Sequence, residues 1–340
     1  MLETRRLGRT GIKASLLGFG GIPIMRVGME EARDAIAEAL ASGVNFIDTA
    51  RGYGDSEEKI GRALRFLGAR PYLASKSPKR DGDGMREDFE VSLAKLSVES
   101  IDIYQVHCVN TDEQYAEILG RGGALEALVN LKAEGKLRHI GFTTHSLALA
   151  ARAVESGLFD TIQVLYNFIE REAGEHVIPR ALEKDIGVLA MKPFAGGCIE
   201  RCDLALRFAL SMPGVIAIPG MATVEEVRRN VEVAGRAEPL SAEEMKIAAA
   251  ESKRLGTVYC RRCDYCQPCP SGIPIAFAMH IASIRKRMGE SMMQTDFIKG
   301  VHEKVGECTE CGECEERCPF DLPVRDLIKQ AGRILDEVLQ

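Results

Sequence analysis

The sequence predicts an α/β protein: a (β/α)8 barrel of the TIM type followed by a small α-helical, cysteine-rich domain. Three observations carry that prediction. Eight short apolar runs alternate with eight amphipathic stretches over about 235 residues, the usual span of such a barrel. Several runs are apolar at consecutive positions (Leu16 and Leu17; Ile101, Ile103, Tyr104 and Val106; Val215, Ile216 and Ile218), as strands buried on both faces of a parallel sheet require. Of the 11 cysteines, only Cys108, Cys198 and Cys202 precede Cys260, and the rest crowd between Cys260 and Cys318.

The expected strands are 14–21, 45–50, 72–77, 101–107, 139–145, 161–167, 187–194 and 215–220. Between and after them the 3.6-residue period predicts helices over 30–42, 56–66, 85–96, 124–134, 147–155, 175–183, 203–210 and 223–234. In the first of these Ala32, Ile36, Ala39 and Leu40 share a face, and Gly43, Gly68, Gly135, Gly157 and Gly187 punctuate helix ends. Each parallel strand pair needs a helical crossover. Eight repeats exceed what an open doubly wound sheet usually needs, which favours the closed barrel.

The 340 residues are 46% hydrophobic with a formal charge of −6, enough for a large core and without the basic run that non-specific nucleic-acid binding needs. No apolar stretch approaches the roughly 18 residues of a membrane span. Arg5, Arg6 and Arg9 are followed by no apolar stretch of a secretory leader. A cytoplasmic protein without nucleic-acid or membrane partners is expected, and there clustered cysteines mean metal more readily than disulfides.

Barrel chemistry sits at the carboxyl ends of the strands. Those ends carry Asp48 with Tyr53 just beyond, Lys76, His107, Thr143, Thr144 and His145, Gln163 and Asn167, Lys192, and Gly220 with Met221. Tyrosine, with a pKa near 10, is a poor acid at neutral pH. A lysine ammonium would lower it, an aspartate would hold the lysine, and a histidine would orient a carbonyl. Singly, each residue is more often a rim contact or salt bridge. Four such groups on adjacent strands form a chemical set.

The motifs Gly43-Val-Asn-Phe-Ile-Asp48-Thr-Ala-Arg-Gly-Tyr53-Gly-Asp-Ser-Glu57, Ala74-Ser-Lys76, Asp102-Ile-Tyr-Gln-Val-His107 and Ile162-Gln163-Val-Leu-Tyr-Asn167 make residues 5–235 resemble the aldo-keto reductase superfamily. The resemblance implies a catalytic tetrad of Asp48, Tyr53, Lys76 and His107, with Tyr53 the general acid. It also implies nicotinamide contacts: Gln163 for the carboxamide, Asn230 for the adenine, and Thr143-Thr144 where the family carries a serine–asparagine pair. The family's Lys-Ser pair and arginine for the 2′-phosphate of NADPH are replaced by Gly220, Met221 and Glu226, and its aromatic residue under the nicotinamide by Met191. NADH, or another electron source, therefore competes with NADPH. Met191 and Met221 are equally readable as packing.

The tail holds Cys260-Arg-Arg-Cys263-Asp-Tyr-Cys266-Gln-Pro-Cys269-Pro270 and Cys308-Thr-Glu-Cys311-Gly-Glu-Cys314-Glu-Glu-Arg-Cys318-Pro319. The second is the C-x2-C-x2-C-x3-C-P run of bacterial ferredoxins, and the first differs by one residue before its last cysteine. Zinc ribbons pair C-x2-C with a distant C-x2-C, and a third cysteine at the same spacing, twice, does not fit them. Two [4Fe–4S] clusters are expected, one on Cys260, Cys263, Cys266 and Cys318, the other on Cys308, Cys311, Cys314 and Cys269. Apolar positions over 273–287 and 324–339 predict helices after each comb, resembling α-helical ferredoxins. Ser241 and Glu244 predict a capping box, so the chain divides as barrel 1–238, linker helix 239–256 and iron–sulfur domain 257–340.

The expected activity is an oxidoreductase acting on a small carbonyl or alcohol, with electrons exchanged through the clusters. Hydride and single-electron transfer do not couple directly, so a flavin, a redox partner protein or stepwise reduction of the substrate is implied. The alternatives are an electron-transfer protein whose barrel no longer uses NADPH and which docks a redox partner, for instance through Asp264, Glu307, Glu310, Glu313, Glu315 and Glu316, or clusters with a structural role only.

Overall fold

The computed structural model describes residues 2–236 and 238–339. Met1, Ala237 and Gln340, which fall within the expected segments 1–238 and 257–340, lie outside the described residues. Two compact units are present: residues 1–193 with 202–240, and residues 194–201 with 241–340.

In the first unit ten strands are described: β1 (Thr4–Arg6), β2 (Lys13–Ser15), β3 (Phe19–Gly20), β4 (Phe46–Asp48), β5 (Tyr72–Ser77), β6 (Ile101–Val106), β7 (Leu137–Thr143), β8 (Thr161–Leu165), β9 (Gly187–Met191) and β10 (Val215–Ile218). β3 to β10 form one parallel sheet in chain order. Bridges between Leu17 and Ala217 and between Gly20 and Gly220 bring its two edges together, so the barrel closes. Gly20 lacks a side chain where a Cβ would lie 2.6 Å from the Pro219 carbonyl, so the seam admits nothing larger.

Seven of the expected strands form with ends shifted by at most three residues, and the first is largely replaced. Residues 13–15 turn back on Thr4–Arg6 as an antiparallel hairpin, leaving β3 two residues long. The Gly11 turn is left-handed and Leu7 N–H donates to the Ile12 carbonyl at 2.9 Å. Leu7 and Ile12 enter the barrel core beside Phe46, Ile103, Leu189 and Ile216. Gly8 sits against the first residues of β9, where a Cβ would lie 2.2 Å from Gly187 N. Arg5 donates to the carbonyls of Met212 and Val215, where β10 begins. The hairpin thus packs at the amino ends of the strands, opposite the chemistry.

The expected helices form with ends shifted by a few residues, and two departures have local causes. Expected 175–183 is two helices, Glu172–His176 and Ile178–Glu183, because Pro179 has no N–H to continue the first and starts the second well. An unexpected helix, Asp112–Leu119, is capped by the Thr111 hydroxyl accepting from Gln114 N–H.

The second unit is helical. Helix Ala242–Gly256 opens with the expected capping box, Ser241 N–H donating to Glu244 and Glu244 N–H to Ser241. Expected helix 273–287 is broken into Ile275–Ala278 and Ile281–Met288, Asp296–Gly306 is an additional helix, and Val324–Leu339 forms as expected. Ile275, Ile281, Ile298, Val301, Ile328 and Leu335 make its core, with Cys266, Cys269, Cys308, Cys314 and Cys318 packed against it.

Candidate active site and cysteine cavity

Asp48 ends β4, Lys76 is the fifth residue of β5, and His107 follows β6, so three neighbouring strands deliver the tetrad to one mouth. Lys76 Nζ donates to Asp48 Oδ1 at 2.6 Å and to the Thr49 carbonyl at 2.8 Å, with both side chains nearly fully buried. Its nitrogen stands 4.9 Å from the centroid of the Tyr53 ring, and His107 meets that ring edge-on at 5.9 Å.

The loop carrying Tyr53 is pinned from several sides. Thr49 and Ser56 hydroxyls are 2.8 Å apart, and the Ser56 hydroxyl donates to the Gly21 carbonyl. Arg51 pairs with Glu57, itself buried and accepting from the Ser75 hydroxyl at 2.6 Å. Arg80, which the motifs did not single out, donates to the carbonyls of both His107 and Cys108 at 2.8 Å and holds the turn after β6. That turn puts Cys108 at φ 53, and the turn after β9 puts Lys192 at φ 54. Both are left-handed conformations that a non-glycine residue holds only where its surroundings impose them.

Electrostatics assign the protonation states. Burial would lower the Lys76 pKa, but Asp48 and Tyr53 outweigh it and keep the ammonium charged. Burial also pushes the Asp48 carboxyl up, against donation from Lys76 and Gln105. With donors on both oxygens, 2.6 and 3.2 Å away, the carboxylate is the form this geometry fits. Burial raises the Tyr53 phenol, and the downward pull of Lys76 is present but smaller. His107 is held well below the usual imidazole range by burial and by Lys76, Lys192 and Arg80. The site is thus a neutral phenol, a neutral imidazole and a closed ion pair, an arrangement able to donate a proton to an oxygen anion as it forms.

The expected cofactor contacts are less uniform. Gln163 is buried on β8 and accepts from Gln105 at 2.9 Å. Thr143 and Thr144 end and follow β7, yet their hydroxyls are used within the protein, Thr143 by Cys108 N–H and Thr144 by Asn110 and Ser146. Met191 lies in the barrel core and Met221 is fully buried. Asn230 is buried on helix Val224–Gly235. Gly220 lies where a Cβ would be 2.6 Å from Pro23. Glu226 is not an isolated charge: it pairs with Arg26 and accepts from Ala222 N–H.

In the second unit Cys266 and Cys269 of the first comb and Cys308, Cys311 and Cys314 of the second line one cavity walled by Ile273, Ile275 and Ile328. Cys260 is buried, Cys318 half-buried and Cys263 exposed, and none of these lines it. Among the described residues no three His, Cys, Asp or Glu side chains converge as they would on a single ion. Burial pushes the Cys260 thiol up to about 11 and the Cys266 thiol to about 12. Iron would reverse that shift, since a coordinating thiol is deprotonated. The donor set and the apolar wall fit an iron–sulfur cluster. The acidic face is largely neutralised: Glu307 pairs with Lys304, Glu310 with Lys329, Glu313 with Arg317 and Glu315 with Arg325.

A family model described as "Aldo/keto reductase family" matches residues 16–202, and one described as "4Fe-4S dicluster domain" matches residues 257–322. The chain belongs to the aldo/keto reductase family. It is an oxidoreductase of that type fused to a 4Fe-4S dicluster domain. It is 26% identical to L-galactose dehydrogenase of Arabidopsis thaliana over 305 residues, 74% of this chain and 94% of that one. With the NADH-specific methylglyoxal reductase of Escherichia coli it shares 28% over 227 residues, 57% of this chain and 68% of the other. Among solved structures, an aldo-keto reductase from Klebsiella pneumoniae in complex with NADPH superposes with a TM-score of 0.63 at 25% identity, covering 75% of this chain and 95% of that chain. Among the described residues no helix is long and apolar enough to cross a membrane.

Proposed function

We propose that this aldo-keto reductase reduces a small carbonyl compound, or oxidises the corresponding alcohol, with Tyr53 as general acid, and that it exchanges electrons through two [4Fe–4S] clusters held by the tail. The observation that supports the first part is the Lys76 ammonium lodged between the Asp48 carboxylate at 2.6 Å and the Tyr53 ring at 4.9 Å. Tyr53 donates its phenolic proton to the carbonyl oxygen, Lys76 steadies the phenolate that is left, Asp48 fixes Lys76, and neutral His107 orients the substrate oxygen. A bound nicotinamide would supply the hydride, and the two clusters, one electron each, would pass an electron pair between that nicotinamide and a redox partner by way of a flavin. Gln163 would hold the carboxamide and Asn230 the adenine. Gly220 and Met221 offer no charge to a 2′-phosphate, which favours NADH over NADPH, the preference printed in the name of the E. coli relative.

The assignment of one cluster to Cys308, Cys311, Cys314 and Cys269 draws support from the cavity that these four line, which Cys266 also reaches. The other falls to Cys260, Cys263, Cys266 and Cys318.

The test begins with anaerobic addition of NADH, then NADPH, to iron-loaded protein, followed at the visible cluster band and by carbonyl reduction. Tyr53→Phe is expected to abolish at least 99% of carbonyl turnover, general acid catalysis contributing about 10²–10⁴-fold, while leaving the cluster band intact. Undiminished turnover in Tyr53→Phe would overturn the catalytic reading. Clusters bleached by dithionite but by neither nicotinamide would overturn nicotinamide as their electron source.

A further inference from the structure

Gln105, on β6, belongs to neither the tetrad nor the cofactor contacts, yet it touches both. Its side chain is fully buried in the barrel, and its amide nitrogen donates to Asp48 Oδ2 at 3.2 Å and to Gln163 Oε1 at 2.9 Å. A primary amide has two N–H groups, so both are spent, one on the acid pair and one on the cofactor residue. The flipped amide would set an oxygen against the Asp48 carboxylate, so the network fixes the orientation.

The reach from β6 to β8 depends on β7. Gly141 is the β7 partner of Gln105 and, on its other side, of Thr161. A Cβ at Gly141 would lie 2.6 Å from both Gln105 Cγ and the Thr161 hydroxyl. A bare strand position therefore lets Gln105 lie across β7. Its own Oε1 remains buried without a partner, a cost of about 1–3 kcal/mol for such a group. A side chain chosen for packing alone would carry no such penalty.

We propose that Gln105 is a positioning residue that couples the Asp48–Lys76 pair to the nicotinamide-binding residue Gln163. Because Gln163 Oε1 is held by Gln105, Gln163 is fixed with its NH2 outward, as a donor to a carboxamide oxygen. The same amide group keeps Asp48 ionised, which keeps Lys76 in place under Tyr53. This inference rests on the proposed reaction, and its test separates the two.

The experiment measures direct binding of NADH and NADPH by fluorescence or calorimetry, together with the pH profile of kcat, on the iron-loaded full chain. Gln105→Met, which keeps the volume and removes the amide, is expected to weaken nicotinamide binding about 3–10-fold, the worth of a lost positioning hydrogen bond. It also moves the acid limb of kcat to higher pH, since Asp48 loses a donor to its charged form. Gln163→Met weakens binding without moving that limb, and the double variant binds no worse than Gln163→Met alone. Gln105→Leu, apolar and slightly smaller, serves if Gln105→Met fails to fold, and is expected to lose as much affinity and to move the limb the same way. Gln105→Met binding as wild type with an unmoved acid limb overturns the inference, and so do losses that multiply in the double variant. Wild-type protein that binds nicotinamide but reduces no carbonyl overturns the proposed reaction and leaves the binding cycle to decide on Gln105. Wild-type protein that binds neither nucleotide overturns both.

Discussion

The tetrad is a case in which two opposing effects act on one residue and the larger decides. The motif reading assigns Lys76 the task of making Tyr53 more acidic, and the ammonium does pull that way, but burial pulls harder in the opposite direction. Tyr53 therefore stays protonated beyond the ordinary tyrosine value of about 10, and in the proposed reaction Lys76 would act chiefly on the phenolate left by proton donation. His107 behaves oppositely: a base with a depressed pKa takes up no proton until well below about 6.5. The expected pH profile of carbonyl reduction is thus flat from about pH 6.5 to about pH 9, with no limb from His107 or Tyr53 inside that window. Any acid limb comes lower, from Asp48 or His107, and Gln105 touches only the Asp48 part of it. A kcat profile that bends near 6.5 would assign a charged imidazole to the site instead. The tetrad was legible because four rare coincidences of residue type fall at strand ends. Gln105 was not, although it lies inside the Asp102–His107 motif, because that motif gives it no role; the only sign was its incongruity between Tyr104 and Val106.

Elements were legible where periodicity was long. β5, buried on both faces, spans Tyr72–Ser77, the expected bounds. The amino-terminal hairpin was missed because three-residue strands give alternation no room, and helix Asp112–Leu119 because eight residues hold barely two turns, although Thr111 and Gln114 were a readable cap. Close packing between elements is also silent in sequence. Gly61 sits inside helix Ser56–Leu67, where propensity alone favours alanine by about 1 kcal/mol. In the structure a Cβ there would lie 2.2 Å from the Lys95 carbonyl on the next helix. Gly61→Ala is therefore expected to destabilise by about 1–3 kcal/mol, lowering the barrel melting temperature by circular dichroism. A rise would mean that the two helices separate easily.

For the whole molecule, the division into barrel and cysteine-rich tail was plain in the cysteine distribution. That residues 194–201 pack with the tail unit was not, since nothing in their composition sets them apart. Comb spacing proposes ligands but does not show that both combs line one cavity. If Cys269 completes the cluster of the second comb, Cys269→Ala lowers iron from about eight to about four per chain, while Cys202→Ala leaves it unchanged; full iron in Cys269→Ala would reassign the fourth ligand. The hairpin that fills the amino end of the barrel has a consequence for traffic. With Leu7 and Ile12 corking the base, whatever meets Tyr53 arrives from the carboxyl ends of the strands, so in the proposed reaction hydride donor and substrate would both have to come in from that one side of the barrel and could not approach from opposite ends.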